Sequence, residues 1–322
     1  MDMKTAFWRS LISRYAILCA LLVLAIIISI LTPRFLLPQN LLNVGMQISI
    51  NAIISVGMTC VILTGGIDLS VGPIAALAGL LASMFVKKAM FDSTFVMTSI
   101  ALLLALGVGL VCGLFNGVAV SKLRVTAFIT TLATMSIIRG ICFLLTNSKP
   151  IFGLPDTIAW IGQGYVGLVP VAVIVMAIII ISMGILLKKT RIGRYVYAVG
   201  SNEEVARLSG INTTHIKVFV YAVSGALSAL GGFILMSRLQ TGQPNAAVGY
   251  ELQAIAATVV GGTKLSGGRG TVVGTLTGAL IIGILNNGMS LLQISSYWQS
   301  VFTGVVILGA VAFNELASGD ES

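Results

Sequence analysis

The sequence predicts an all-α membrane protein, a polytopic bundle of about ten helices forming one transmembrane domain over residues 1–322. Three observations predict it. Of the 322 residues, 57% are apolar and 9% charged, with a mean hydropathy of +1.04, whereas a water-soluble domain is about a quarter charged. The apolar residues form runs close to the roughly 20 residues a helix needs to cross a bilayer. Those Leu/Ile/Val/Ala runs lack the alternation that strands of a membrane barrel require.

In chain order the expected spans fall at about 15–32, 40–63, 70–86, 95–120, 125–146, 166–187, 216–236, 250–262, 272–291 and 297–313, the eighth being short. Lys4, Arg9 and Arg14 precede the first run as they would in a secretory signal. The run continues through Ile30 with no small-residue cleavage site, so it is retained as a membrane helix. On the second span Asn43, Gln47, Asn51, Ser55 and Thr59 recur every four residues and share one helix face. A stripe of amides and hydroxyls faces other helices or water. It reads either as interhelical hydrogen bonding, about 0.6 kcal/mol per contact, or as the lining of a path for a polar, uncharged solute, to which it offers donors and acceptors. Asn116 on the fourth span and Asn286 with Asn287 on the ninth add similar groups. Arg139 lies within the fifth span, where a cation is costly unless paired or hydrated; it reads as an anchor near the outer surface or as part of the path.

With the N-terminus inside, thirteen Lys and Arg fall on cytoplasmic faces and five, Arg34, Lys87, Lys88, Lys149 and Arg238, on outer ones. That bias places both termini in the cytoplasm, although Lys87 and Lys88 run against it. The net charge of +9 is accounted for by loops facing anionic lipid, with no call for nucleic acid. Cys19, Cys60, Cys112 and Cys142 are scattered among apolar segments, and neither a disulfide framework nor a metal-ligand spacing exists. The sole histidine, His215, reads as an interfacial residue, and no catalytic constellation can be assembled.

Two glycine-broken stretches resemble each other, VILTGGIDLSVGPIAALAG at 61–79 and TVVGGTKLSGGRGTVVGTLTGA at 258–279. Their turns hold Gly65, Gly66, Asp68 and Ser70 in one and Gly261, Gly262, Lys264 and Ser266 in the other. Such breaks in corresponding places of two halves point to a transporter's working region, or simply to tight turns that let helices pack closely. Asp68 is expected to bond its own backbone and fix the break. GGTKLSGGRGT is not a phosphate loop, because Gly268 stands where the lysine should be.

The longest polar passage away from the ends is VGSNEEVARLSGIN, 199–212, within a loop of about 188–215. Ser201 is expected to cap a two-turn helix, with Glu204 reaching back to it. Glu203 and Glu204 suit the positive helix end, and Gly210 suits a left-handed stop. Val205 and Leu208 form a narrow apolar ridge flanked by Arg207. So short a helix needs a surface to dock on, either a groove on another protein or the membrane.

These stretches, with RIGRYVYAVGSNEEVARLSGIN and GYELQAIAATVVGGTKLSGGRGTVVGTLTGALIIGILNNG, closely resemble the ribose-type permeases, the transmembrane subunits of bacterial ABC importers for pentoses, hexoses and related polyols, over about residues 15–313. The resemblance implies a multi-pass protein of the bacterial cytoplasmic (inner) membrane, paired with a second permease subunit as homodimer or heterodimer. It further implies two ATP-binding cassette ATPase subunits on the cytoplasmic face and a periplasmic or lipid-anchored sugar-binding protein outside. ATP and Mg2+ would then be held by the partner ATPase, and no cofactor by this chain. Glu203, Glu204, Ala206, Leu208 and Gly210 match the family's coupling loop. The alternative is an ion-coupled secondary transporter of a small polar solute, which would place titratable groups near the midplane; Asp68 is the one such acid recognised in the sequence.

Overall fold

The computed structural model describes residues 18–88 and 93–319. Lys4, Arg9, Arg14 and the start of the first expected span lie outside them. The described chain is a helical bundle: α1 (Leu18–Leu31), a 3-10 turn (Pro33–Leu36), α2 (Pro38–Leu63), α3 (Val71–Lys88), α4 (Thr94–Ser121), α5 (Ala127–Thr146), α6 (Asp156–Gln163), α7 (Val171–Lys189), α8 (Arg191–Ser201), α9 (Glu203–Leu208), α10 (Thr213–Leu239), α11 (Tyr250–Val260), α12 (Val272–Leu291) and α13 (Ser296–Gly319). Seven of them, α2, α3, α4, α5, α7, α10 and α12, are long and apolar enough to cross a membrane.

Several expectations are corrected here. The sixth span starts at Val171, because 165–170 forms a two-residue hairpin, β1 (Tyr165–Val166) with β2 (Val169–Pro170), and Pro170 caps α7. The eighth, α11, has 11 residues, about 16 Å at 1.5 Å per residue, roughly half a bilayer core. The amphipathic helices α6 and α8 have no counterpart among the expected spans.

Helix α2 is enclosed by the others, and its residues from Ile48 to Leu63 are all buried. Helices α3 and α10 are largely buried beside it, while α4, α5 and α7 turn most of their apolar surface outward. Such a ring matches an apolar solvent: outward leucine and isoleucine cost nothing in hydrocarbon, so the centre is chosen by close packing. Glycine makes that packing possible between α4 and α10. A Cβ on Gly109 would strike the Gly225 carbonyl oxygen, and one on Gly225 that of Gly109.

The two glycine turns share one backbone device. Helix α2 ends with Gly66 N–H bonding Val61 O (3.2 Å), Gly65 N–H bonding Ile62 O (2.8 Å) and Gly65 at φ +76°. Helix α11 ends with Thr263 N–H on Thr258 O (3.1 Å), Gly262 N–H on Val259 O (2.9 Å) and Gly262 at φ +86°. These are paired Schellman closures. The equivalent residues are Gly65 and Gly262, one place out of step with an alignment of the GG pairs. The stretches then diverge, α3 beginning at Val71 and α12 only at Val272.

Charge separates by end. Arg124, Glu203, Glu204, Arg207 and Lys217 line one cleft beside Thr64–Gly66, and Gly268 N–H bonds Leu63 O (3.0 Å), bringing the 264–270 loop to that end. Lys87, Lys88 and Lys149 share a groove with the C-terminal residues of α5.

Candidate translocation and coupling site

The stripe on α2 divides along its length. Asn43 is exposed and Gln47 half-buried, whereas Asn51, Ser55 and Thr59 are buried. Asn51 Nδ2 donates to Gln253 Oε1 of α11 (2.7 Å), and its Oδ1 finds no partner. Below it, Ser55 bonds back to Asn51 O (2.6 Å), and Thr59 meets Thr275 (2.6 Å) and Thr258 (3.4 Å) hydroxyl to hydroxyl. Ser55 therefore belongs to helix packing. Asn43 and Gln47 are the accessible members of the stripe, and Asn51, buried beneath them, is joined to the half-buried Gln253 of α11. On α12, Asn286 is buried with Oδ1 unpartnered, while Asn287 exchanges two 3.0 Å amide bonds with Asn40 and clamps α12 to the start of α2.

Asp68 centres a closed polar knot. Its Oδ1 accepts from Ser70 N–H (3.0 Å) and Ser70 Oγ (2.5 Å), and its Oδ2 from Ser224 Oγ of α10 (2.9 Å). Asn116 Nδ2 donates to Ser70 Oγ (2.8 Å), and Thr134 Oγ1 of α5 donates to Asn116 Oδ1 (2.6 Å). The expected turn-fixing bond of Asp68 is present, and the carboxylate's three donors offset the cost of burying it. Asn116, expected in the path, is instead fully buried as the link between the α3 turn and α5.

Arg139 is an anchor. Its Nη1 donates to the carbonyls of Pro244 and Ala246 (2.9 Å each), holding the segment between α10 and α11, which is also pinned by the Ile151–Gly242 bridge. Beyond it lies Glu251, 7% exposed, with Oε1 accepting from Gly249 N–H (3.2 Å) and Oε2 unpartnered near Gly72. The sequence reading counted only Asp68 as an embedded acid. Glu251 escaped it because TYR–GLU–LEU at a short helix start looks like ordinary N-terminal capping chemistry.

At the charged end, α8 runs through Ser201, whose Oγ donates to Tyr197 O within that helix (2.9 Å). The cap of α9 is Asn202, extended at φ −162°, ψ 108° and accepting from Val205 N–H (3.0 Å). The expected Ser201–Glu204 capping box is thus replaced, because Ser201 is itself helical. Glu204 pairs with Arg207 and Glu203 with Lys217, both at 2.6 Å, and the guanidinium holds the Glu204 carboxyl below its usual range. Val205 and Leu208 stand 57% and 76% exposed, Ala206 is buried against the protein, and Gly210 takes the left-handed stop at φ +83°. A cleft of about 740 Å3 separates α9 from the α4–α5 turn and the Thr64–Gly66 turn. Gly200 packs on Leu63 O and Gly268 N, so α8, the Gly65–Gly66 turn and the Lys264–Ser266 loop meet at one point. Among the described residues no cluster of His, Cys, Asp and Glu could hold a metal ion.

Residues 40–311 match the family described as branched-chain amino acid transport system / permease component. The chain is 51% identical over 296 residues to the ribose import permease protein RbsC of Haemophilus influenzae, covering 91% of this chain and 90% of that one. It is 48% identical to RbsC of Bacillus subtilis (92% and 91% covered) and 37% identical to the L-arabinose transport system permease protein AraH of Escherichia coli (94% and 90% covered). No solved structure matches the chain. With seven helices among its described residues long and apolar enough to cross a membrane, and matched over nine-tenths of its length by transport permeases, the chain belongs to the branched-chain amino acid transport system permease family and, within it, to the ribose-type ABC permeases.

Proposed function

We propose that this chain is the permease subunit of an importer that carries a monosaccharide, ribose or a related pentose or hexose, across the bacterial cytoplasmic membrane. The observation that carries the reading is the 51% identity to a ribose import permease over nine-tenths of both chains. The chemistry of the α2 stripe agrees with it. Asn43 and Gln47, with Asn51 and its α11 partner Gln253 next to them, offer neutral donors and acceptors, which suit hydroxyls. A branched-chain amino acid, the solute after which the family is described, is a zwitterion and calls for fixed charges in its path. The buried Asp68 and the half-buried Arg139 are instead committed to hydroxyl and backbone partners, which leaves Glu251 Oε2 as the unpartnered buried carboxylate oxygen among the described residues.

In this reading ATP and Mg2+ are bound by separate cassette ATPase subunits, which dock on α9; a periplasmic or lipid-anchored binding protein delivers the sugar, and a second permease subunit completes the path. The exposed Val205–Leu208 ridge supports α9 as the docking element. Its charges are paired among themselves, so apolar contact supplies affinity and the rim sets orientation. The experiment is uptake of radiolabelled ribose into proteoliposomes containing the permease, its ATPase and its binding protein. Uptake is expected to follow ATP hydrolysis. Uptake driven by a proton or sodium gradient with no nucleotide would restore the ion-coupled alternative.

A further inference from the structure

A groove of about 270 Å3 runs along the outside of the bundle where α7 ends. It is walled by Ile180, Ile181, Ile185 and Leu187 of α7 and by Val272 and Val273 of α12, and Tyr197 of α8 forms its floor. Tyr197 Oη spends its proton on Gly270 O (2.9 Å), so the floor presents its ring to the groove. Gly184 opens the middle: a Cβ there would meet nothing within 4 Å. At the mouth stand Lys188 and Lys189, both exposed, with Arg191 and Arg194 on the next turn, where α8 begins with Thr190 as its cap. No acidic side chain is paired with any of these four cations among the described residues, whose two ion pairs are Arg207–Glu204 within α9 and Lys217–Glu203 between α10 and α9.

We propose that this groove binds one anionic glycerophospholipid, an acyl chain lying against α7 and α12 and the phosphate resting between Lys188, Lys189 and the N-terminus of α8. An apolar groove of about 270 Å3 with lysines at its mouth, at the end of a long apolar helix, has the charge order of a phospholipid. Neither a soluble anion nor a neutral lipid uses both halves. The amides opening α8 add positive potential at the mouth, and basic side chains at the membrane surface attract anionic headgroups by about 1 kcal/mol each. Helix α7 turns most of its surface outward, which leaves the slot accessible from the bilayer.

The test uses the full-length permease purified in mild detergent, with retained phosphatidylglycerol and phosphatidylcholine of equal chain length counted by native mass spectrometry. Phosphatidylglycerol is expected to be retained selectively. The double variant Lys188→Gln, Lys189→Gln should weaken its retention about 30-fold, two lysines at about 1 kcal/mol each. Gly184→Leu, which fills open space and raises helix propensity, should lose both lipids from this site while the protein stays folded. Equal retention of the two lipids, or unchanged retention in Gly184→Leu, overturns the proposal. So does a Gly184→Leu protein that keeps its lipid but loses a copy of itself, since the groove would then be a subunit interface.

Discussion

At the level of single residues, the molecule separates two kinds of buried polarity. The Asp68 knot is closed, every atom of the carboxylate engaged by Ser70 and Ser224. Asn51 is half satisfied, its Nδ2 paired with Gln253 and its buried Oδ1 without a partner. Asp68→Ala should therefore act on folding: it leaves buried hydroxyl donors without acceptors, each costing about 1–3 kcal/mol, and should lower the amount of permease recovered from the membrane severalfold. A normally folded variant whose sugar uptake shows an altered pH dependence would assign Asp68 to proton coupling. Asn51→Leu and Gln47→Leu should instead leave assembly intact and reduce uptake, measured as ribose accumulation at equal membrane protein. Unchanged uptake in both would return the whole stripe to helix packing. On α9, the lowered carboxyl of Glu204 keeps its pair with Arg207 intact at neutral pH; the contribution is lost only as pH falls through that lowered value.

At the level of elements, α9 is six residues long and cannot be stable by itself. It is held by its Asn202 cap, the buried Ala206 and the Glu203–Lys217 tie to α10, and none of these engages Val205 or Leu208 by its side chain. Helix α9 follows α8, whose Gly200 packs on Leu63 at the end of α2 and on Gly268 of the loop after α11, so a load on the ridge is expected to be felt at the end of α2. Burying a leucine is worth about 1.5–3 kcal/mol, so Leu208→Glu should weaken ATPase co-purification by about ten- to a hundredfold and uncouple hydrolysis from uptake in vesicles. Glu203→Gln removes only a rim contact to Lys217 and should change either readout little. Full association of Leu208→Glu would move the docking site to the loop around Lys264 and Arg269.

At the level of the whole molecule, the charges sort onto opposite ends. The cleft with Arg124, Arg207 and Lys217 and the loop with Lys264 and Arg269 mark one end, and the groove with Lys87, Lys88 and Lys149 the other. The positive-inside rule predicts that the first end faces the cytoplasm. In oriented vesicles a single cysteine placed at Arg207 should react with an impermeant thiol reagent only from the cytoplasmic side, and one at Lys149 only from the opposite side; the reverse labelling would invert the molecule and remove the coupling role of α9.

The sequence by itself determined the class, the long spans, the two glycine turns and the exposed ridge, because each is written in residues within a turn or two of one another. Apolar run length selects a membrane helix, Gly65 and Gly262 take the left-handed closure that few other residues accept, and Gly210 ends α9 by the same preference. Tertiary structure decided what that range cannot encode. Asn51 and Gln253 are 202 positions apart and Asn40 and Asn287 are 247 apart, so their pairing depends on which helix faces which. The same reason made Asn116 a brace, Ser55 a packing group, Arg139 an anchor and Glu251 a buried acid. In a bilayer, where apolar surface gains little from being inside, it is these close glycine crossings and long-range amide and hydroxyl bonds that choose one arrangement of helices over another.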